Sequence, residues 1–94
     1  MQNEAFEWDD HKAAHNYADH GVSFEAATKA FNDPFGIERW DDREAYGEDR
    51  FILIALAEAT VLTVVYTERN GRSHLISARC ATTREQDDYF TQST

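Results

Sequence analysis

The chain has 94 residues, with 9 basic against 18 acidic side chains for a formal charge of −9, and a single cysteine. That length supports one hydrophobic core and excludes two domains, while 41% hydrophobic and 13% aromatic residues are too many for a disordered acidic tail. Cys80 has no partner for an internal disulfide or a zinc ribbon, the longest apolar run is only Phe51 to Ala57, and the acidic excess argues against broad binding to polyanions. A reducing cytoplasm is the expected setting, with neither a signal peptide nor a membrane span.

Ala5 to Trp8 reads as a short opening strand. Asp9 or Asp10 can cap a helix running to about His20, with Gly21 as its left-handed stop. Ser23 caps a second helix, with Phe24, Ala27, Thr28 and Phe31 at helical spacing, that Asn32-Asp33-Pro34 ends. Gly36 to Trp40 suits a strand, and the acidic stretch from Asp41 to Asp49 reads as a long loop, a candidate lid or partner loop. Phe51 to Ala57, apolar throughout, fits a strand buried on both faces, and Val61 to Glu68 is rich in β-branched residues. Thr82 or Thr83 can cap a closing helix through about Phe90, with a frayed tail over Thr91 to Thr94. The expected fold class is α+β: a mainly antiparallel sheet with helices packed on one face, in the order β-α-α-β-β-β-β-α.

Asn70-Gly71 is a two-residue hairpin signal. Counting outward sets Arg69 opposite Arg72, Thr67 opposite His74, Tyr66 opposite Leu75 and Val64 opposite Ser77. Alternation then puts Arg69, Thr67, Arg72 and His74 on one face, and Glu68, Tyr66, Ser77 and Arg79 on the other. Charge points to the same hairpin. Residues 1–60 hold five basic against fourteen acidic side chains, whereas 61–79 hold Arg69, Arg72 and Arg79 against Glu68 alone. Arginines at a hairpin edge also serve simply as a solvated rim.

His11, His15 and Asp19 share one helical face at metal-ligand spacing, but no second ligand cluster completes them, and a polar stripe on an exposed helix needs no metal. Lys12, Asn16 and His20 form a neighbouring stripe in which the dipole at the helix end favours a charged His20; alone it reads as a solvated face. Ser77 lacks a nucleophile elbow, Cys80 reads as a small semi-exposed cysteine, and the four glycines are isolated, so no phosphate-cradling loop exists.

Phe6-Glu7-Trp8-Asp9, Lys12-Ala13, Asn16, His20-Gly21-Val22-Ser23-Phe24-Glu25, Asp33-Pro34, Gly47-Glu48 with Arg50, Val64-Val65-Tyr66-Thr67-Glu68-Arg69 and Ile76-Ser77-Ala78-Arg79 together resemble the BrnT family. The resemblance spans about residues 5–89. It implies a RelE-like fold, ribonuclease activity that halts translation, no cofactor and no metal. It also implies a BrnA-like ribbon-helix-helix antitoxin as partner, through which alone operator DNA is bound, and RNA as substrate.

Cleavage by 2′-hydroxyl attack needs cations at the phosphate and a proton donor and acceptor nearby. Arg69, Arg72 and Arg79 are the phosphate-stabilising candidates, although the counted register sets Arg79 on the other face unless a bulge intervenes. His20 is the first candidate acid or base and Glu48 or Glu68 the second, with Lys12, Arg50, Tyr66 and Ser77 as supporting positions. Where the family commonly has basic residues this chain has Asp19 and Cys80, and its closing helix sets Glu85, Asp87 and Asp88 beside Arg84. These departures all remove positive charge, so retained fold and antitoxin binding with weakened or redirected nuclease activity is the expectation. A noncatalytic BrnT-like interaction module, acting only as antitoxin partner or corepressor, is the alternative.

Overall fold

A strand that is apolar on both faces needs cover on both, and that requirement organises this fold. The computed structural model describes residues 1–43, 45 and 47–92; positions 44 and 46 of the predicted loop and 93–94 of the predicted tail lie outside the described residues. Five strands, β1 (Phe6–Glu7), β2 (Ile37–Asp41), β3 (Arg50–Ala57), β4 (Thr60–Arg69) and β5 (Arg72–Cys80), form one sheet in the order β1-β5-β4-β3-β2. The two-residue β1 runs parallel to β5, and every other pair is antiparallel.

Three helices accompany the sheet: α1 (Asp10–His20), α2 (Phe24–Thr28) and α3 (Thr83–Thr91). The Asp9 carboxylate accepts from the His11 and Lys12 amides, and Gly21, at φ 70°, closes α1 in the left-handed conformation. Ser23 caps α2, which tightens into a 3₁₀ turn over Lys29–Asn32 where one longer helix was expected. Beyond that turn, the Asp33 carboxylate accepts from the Phe35 and Leu56 amides and from the Tyr89 hydroxyl, pinning the turn to β3 and α3.

Leu53, Ala55 and Ala57 of β3 join Leu62, Val64 and Tyr66 of β4 on one face, under Trp8, Val22, Phe24, Ala27 and Ala30. On the other face Ile54 and Val61, with Ile52 and Leu56 beside them, meet Tyr89 of α3. The helices therefore lie on both faces, not on one as expected. Glu85 of α3 takes both guanidinium nitrogens of Arg79 at 2.7 and 3.1 Å and the Thr63 hydroxyl at 3.0 Å, and Asp88 pairs with Arg39 at 3.0 Å. Two of the closing helix's acids thus fasten it to arginines of the sheet.

The hairpin turn has Asn70 at φ 52° and Gly71 at φ 76°, the two left-handed residues of a type I′ turn. Arg69 opposes Arg72, Thr67 opposes His74 and Tyr66 opposes Leu75, as counted from the turn. The register then shifts: Ser77 lies opposite Val65 and Ala78 opposite Val64, leaving Ile76 as the extra residue of a bulge. The expected Val64–Ser77 pair is thereby replaced, and Ser77 and Arg79 turn to the face of Arg69 and His74. Burial explains the shift: unbulged alternation would push Arg79 into the apolar layer under the first two helices, whereas the bulge places Ala78 there, fully buried.

Asn16 departs from the solvated stripe expected of it. It is buried, donates to Val22 O at 3.0 Å and Ala78 O at 2.8 Å, and accepts from Ala78 N at 3.0 Å. Along β5, β1 reaches only Ser73 and His74, so further along that strand the Asn16 amide takes the place of a neighbouring strand.

Candidate active site

Four strand ends and one loop bring charge together at the hairpin end of the sheet, on the face that α3 packs against. Arg50 of β3 lies opposite both Asp41 and Thr67, Arg69 and Thr67 come from β4, His74 from β5 and Glu7 from β1. Asp41 is buried and holds Arg43 through both carboxylate oxygens, at 2.8 and 2.9 Å. The loop before β3 is tied down where the Thr67 hydroxyl donates to Asp49 O, which sets Glu48 over the cluster.

Glu48 receives Arg69 in a fork: Nη2 lies 3.0 Å from each carboxylate oxygen and Nε 3.2 Å from Oε1. Arg50 Nε lies 4.0 Å from Glu48 Oε2. The hydrogen-bonded Arg69 guanidinium, with the charges of Arg69, Arg50 and His74, holds the Glu48 carboxyl below the usual carboxylate range against the opposing effect of burial. On the far side of Arg69, its Nη1 is 3.4 Å from His74 Nε2, and His74 Nδ1 is 3.8 Å from Glu7 Oε2. Two guanidinium groups, an imidazole and two carboxylates therefore share one half-buried patch, an arrangement suited to holding a phosphate and moving a proton beside it.

The structure brings together Glu48, Arg50 and Arg69 of the residues singled out in sequence, and adds His74 and Glu7. Arg72 borders the cluster, with its Nε donating to Asn3 O at 2.6 Å. Arg79 and Ser77 share the face but not the site: Arg79 lies opposite Thr63, six residues along β4 from Arg69, about 20 Å at the rise of an extended strand. His20 is exposed at the end of α1, and the adjoining Gly21 and Val22 line a cavity with Glu58 and Ala59 of the β3–β4 turn, at the opposite end of the sheet. Lys12 is exposed in the first turns of that helix, in the layer over the opposite face. Tyr66 is buried in that same layer between Phe31 and Phe51, where burial, with a hydrogen bond to Glu38, pushes its hydroxyl further up. Glu68 is exposed beside Arg69 and points to the other face. His11, His15 and Asp19 are exposed on α1, and among the described residues no three His, Cys, Asp or Glu side chains gather at a metal-ligand distance.

His74 and Glu7 escaped the sequence-based choice of catalytic residues. The one available signal was the hairpin register, which placed His74 beside Arg69; Glu7 required knowing that β1 joins β5.

The Arg79–Glu85 pair makes a testable claim about stability. The Arg79 hydrogen bonds, joined by those from the Thr82 amide and the Thr63 hydroxyl, outweigh burial and lower the Glu85 carboxyl from 4.5 to about 2. A group ionised more readily when folded stabilises the fold above its unfolded value and loses that contribution as pH falls through its folded one. Urea unfolding is therefore expected to show a stability loss between pH 4.5 and about 2 that shrinks in Glu85→Gln; an equal loss in both proteins would dismiss the pair as its source.

No helix among the described residues is long and apolar enough to cross a membrane. No curated protein matched the chain in a sequence search. A family model described as a ribonuclease toxin, BrnT, of type II toxin–antitoxin systems matches residues 8–85, a span that takes in Glu48, Arg50, Arg69, His74 and Arg79. Matched over most of its length by that model, the chain belongs to the BrnT family of type II toxins.

Proposed function

We propose that this chain is a cytoplasmic endoribonuclease of RelE-like type that cleaves RNA at the hairpin end of its sheet, halts translation, and is neutralised by a BrnA-like ribbon-helix-helix antitoxin. The observation that carries this reading is the convergence of Arg50, Arg69, Glu48 and His74 at the hairpin end of one sheet face. Attack of a 2′-hydroxyl on the adjacent phosphorus builds negative charge on the non-bridging oxygens, and fixed guanidinium donors stabilise it more in the transition state than in the ground state. Arg69 and Arg50 take that role. Glu48 occupies the Arg69 fork in the manner of the anion that would replace it. No step needs a metal, so cleavage should persist in chelator and leave a 2′,3′-cyclic phosphate and a 5′-hydroxyl. Purified toxin incubated with single-stranded RNA in excess EDTA tests this: intact RNA would reject the reading, as would normal growth of a sensitive host expressing the toxin alone.

A second reading, a noncatalytic module that serves only as antitoxin partner and reaches operator DNA through it, draws on a separate observation. Arg69 and Arg79 are both forked by carboxylates, Glu48 and Glu85, which cancels much of the positive charge an RNA would meet. Antitoxin binding together with inert RNA and unaffected growth would favour it.

A further inference from the structure

Resting on the RNA-cleaving reading above, we propose that His74 is the general base of the reaction and that Glu7 is the positioning residue that sets its tautomer. The two side chains are 15% and 22% exposed and lie on adjacent strands in parallel register, Glu7 opposite His74. The imidazole stands between unlike neighbours. Its Nε2 faces Arg69 Nη1 at 3.4 Å, and its Nδ1 faces Glu7 Oε2 at 3.8 Å. A guanidinium has only donors to offer, so the nitrogen facing Arg69 presents its lone pair and the proton resides on Nδ1, toward the carboxylate. A carboxylate behind and an available lone pair in front is the arrangement that makes an imidazole a base.

Two buried atoms of this couple point the same way. His74 Nδ1 and Glu7 Oε1 have no hydrogen-bond partner among the described residues. Buried polar atoms are generally satisfied; here a small approach of the ring toward Glu7 Oε2, 3.8 Å away, would give Nδ1 its acceptor and hold the proton on that nitrogen. Thr67 and Arg69 from β4, Glu7 from β1, Arg72 from the same strand and Glu48 from the loop are the polar groups arrayed around the ring.

In the reaction the Arg69 guanidinium transfers from Glu48 and His74 to a non-bridging phosphate oxygen. The 2′-hydroxyl proton passes to His74 Nε2 as the 2′-oxygen–phosphorus bond forms. The phosphorus–5′-oxygen bond breaks, the departing 5′-oxygen takes a proton from water, and the imidazolium returns its proton to solvent.

Chemical rescue tests the assignment. His74→Gly should lower cleavage by about 10²–10⁴-fold, with RNA affinity changed less than about threefold, and substituted imidazoles added to the buffer should restore cleavage in proportion to their basicity. Glu7→Gln should keep RNA affinity, lose about 10-fold or more in single-turnover rate, and alter the pH dependence of cleavage. His74→Gln, checked by circular dichroism against wild type, guards against loss of fold in the glycine variant. Cleavage by folded His74→Gln within threefold of wild type, or rescue indifferent to imidazole basicity, would overturn the role of His74. Wild-type protein that leaves RNA intact would instead overturn the ribonuclease reading and the base assignment with it.

Discussion

Arg69→Ala is expected to lower RNA cleavage by about 10²–10³-fold, the usual consequence of removing one fixed donor from a site where negative charge develops. Arg69 is the only residue of the cluster that touches both Glu48 and His74 among the described contacts, three of them to the Glu48 carboxylate. In the proposed mechanism its removal deletes a phosphate contact and the group that directs the imidazole lone pair. Stability should change little, because the Arg69 side chain is 45% exposed and exposed ion pairs contribute about 0–1 kcal/mol. Loss of activity without loss of fold is thus the expected signature, read from single-turnover cleavage and urea unfolding of the same preparation. Arg69→Lys should recover only a small part of the rate, since an ammonium cannot reproduce the two-pronged geometry. Cleavage by Arg69→Ala within threefold of wild type would remove the arginine from the site. Arg79→Ala provides the contrast: far along the strand and forked by Glu85, it should act on stability more than on cleavage.

Local signals in the sequence were sufficient for most of the elements, though not for the 3₁₀ turn that ends the second helix, and for the hairpin, because Asn70-Gly71 dictates a turn type and the turn type dictates the first pairs of register. The bulge at Ile76 was not legible in the same way. Nothing in Ile76-Ser77-Ala78 marks a break in the strand; the break follows from a demand of the packed molecule, that Ala78 and not Arg79 face the apolar layer. The position of α3 was partly legible. Phe51 to Ala57 is apolar at every position, which already called for cover on both faces, yet assigning α3 to the second face required knowing that the first was filled by Trp8, Phe24, Ala27 and Ala30. The site shows the same division. Glu48, Arg50 and Arg69 were singled out through their motifs, whereas His20 was favoured for its helix-end chemistry and lies at the end of the sheet away from the hairpin cluster. His74 gains its proposed role from Glu7, sixty-seven residues earlier in the chain, through a pairing of only two residues.

Asn16 supplies the largest expected effect on stability. Its amide makes three hydrogen bonds, two to Ala78 and one to Val22, from a buried position. Truncation to alanine leaves an N–H and two carbonyls without those partners in a region closed to water, and each unsatisfied group costs about 1–3 kcal/mol. Partial relaxation makes the sum less than additive, so a loss of roughly 3 kcal/mol is expected for Asn16→Ala, equivalent to about 12–24 °C in melting temperature for a domain of this size. Asn16→Asp should be no rescue. It keeps an acceptor for the Ala78 amide but turns an oxygen toward the Val22 and Ala78 carbonyls and buries a charge. Hydrogen exchange separates this account from a general loosening of α1: the Ala78 amide should lose protection in Asn16→Ala by a larger factor than amides at the β3–β4 pair. A stability change below about 0.5 kcal/mol, the range of ordinary surface substitutions, would mean that the open edge of β5 is satisfied in another way. Because the clamp joins the helical layer to β5 well away from Arg69 and Glu48, the variant that remains folded at low temperature should still cleave RNA within about threefold of wild type, as expected for sites without shared partners.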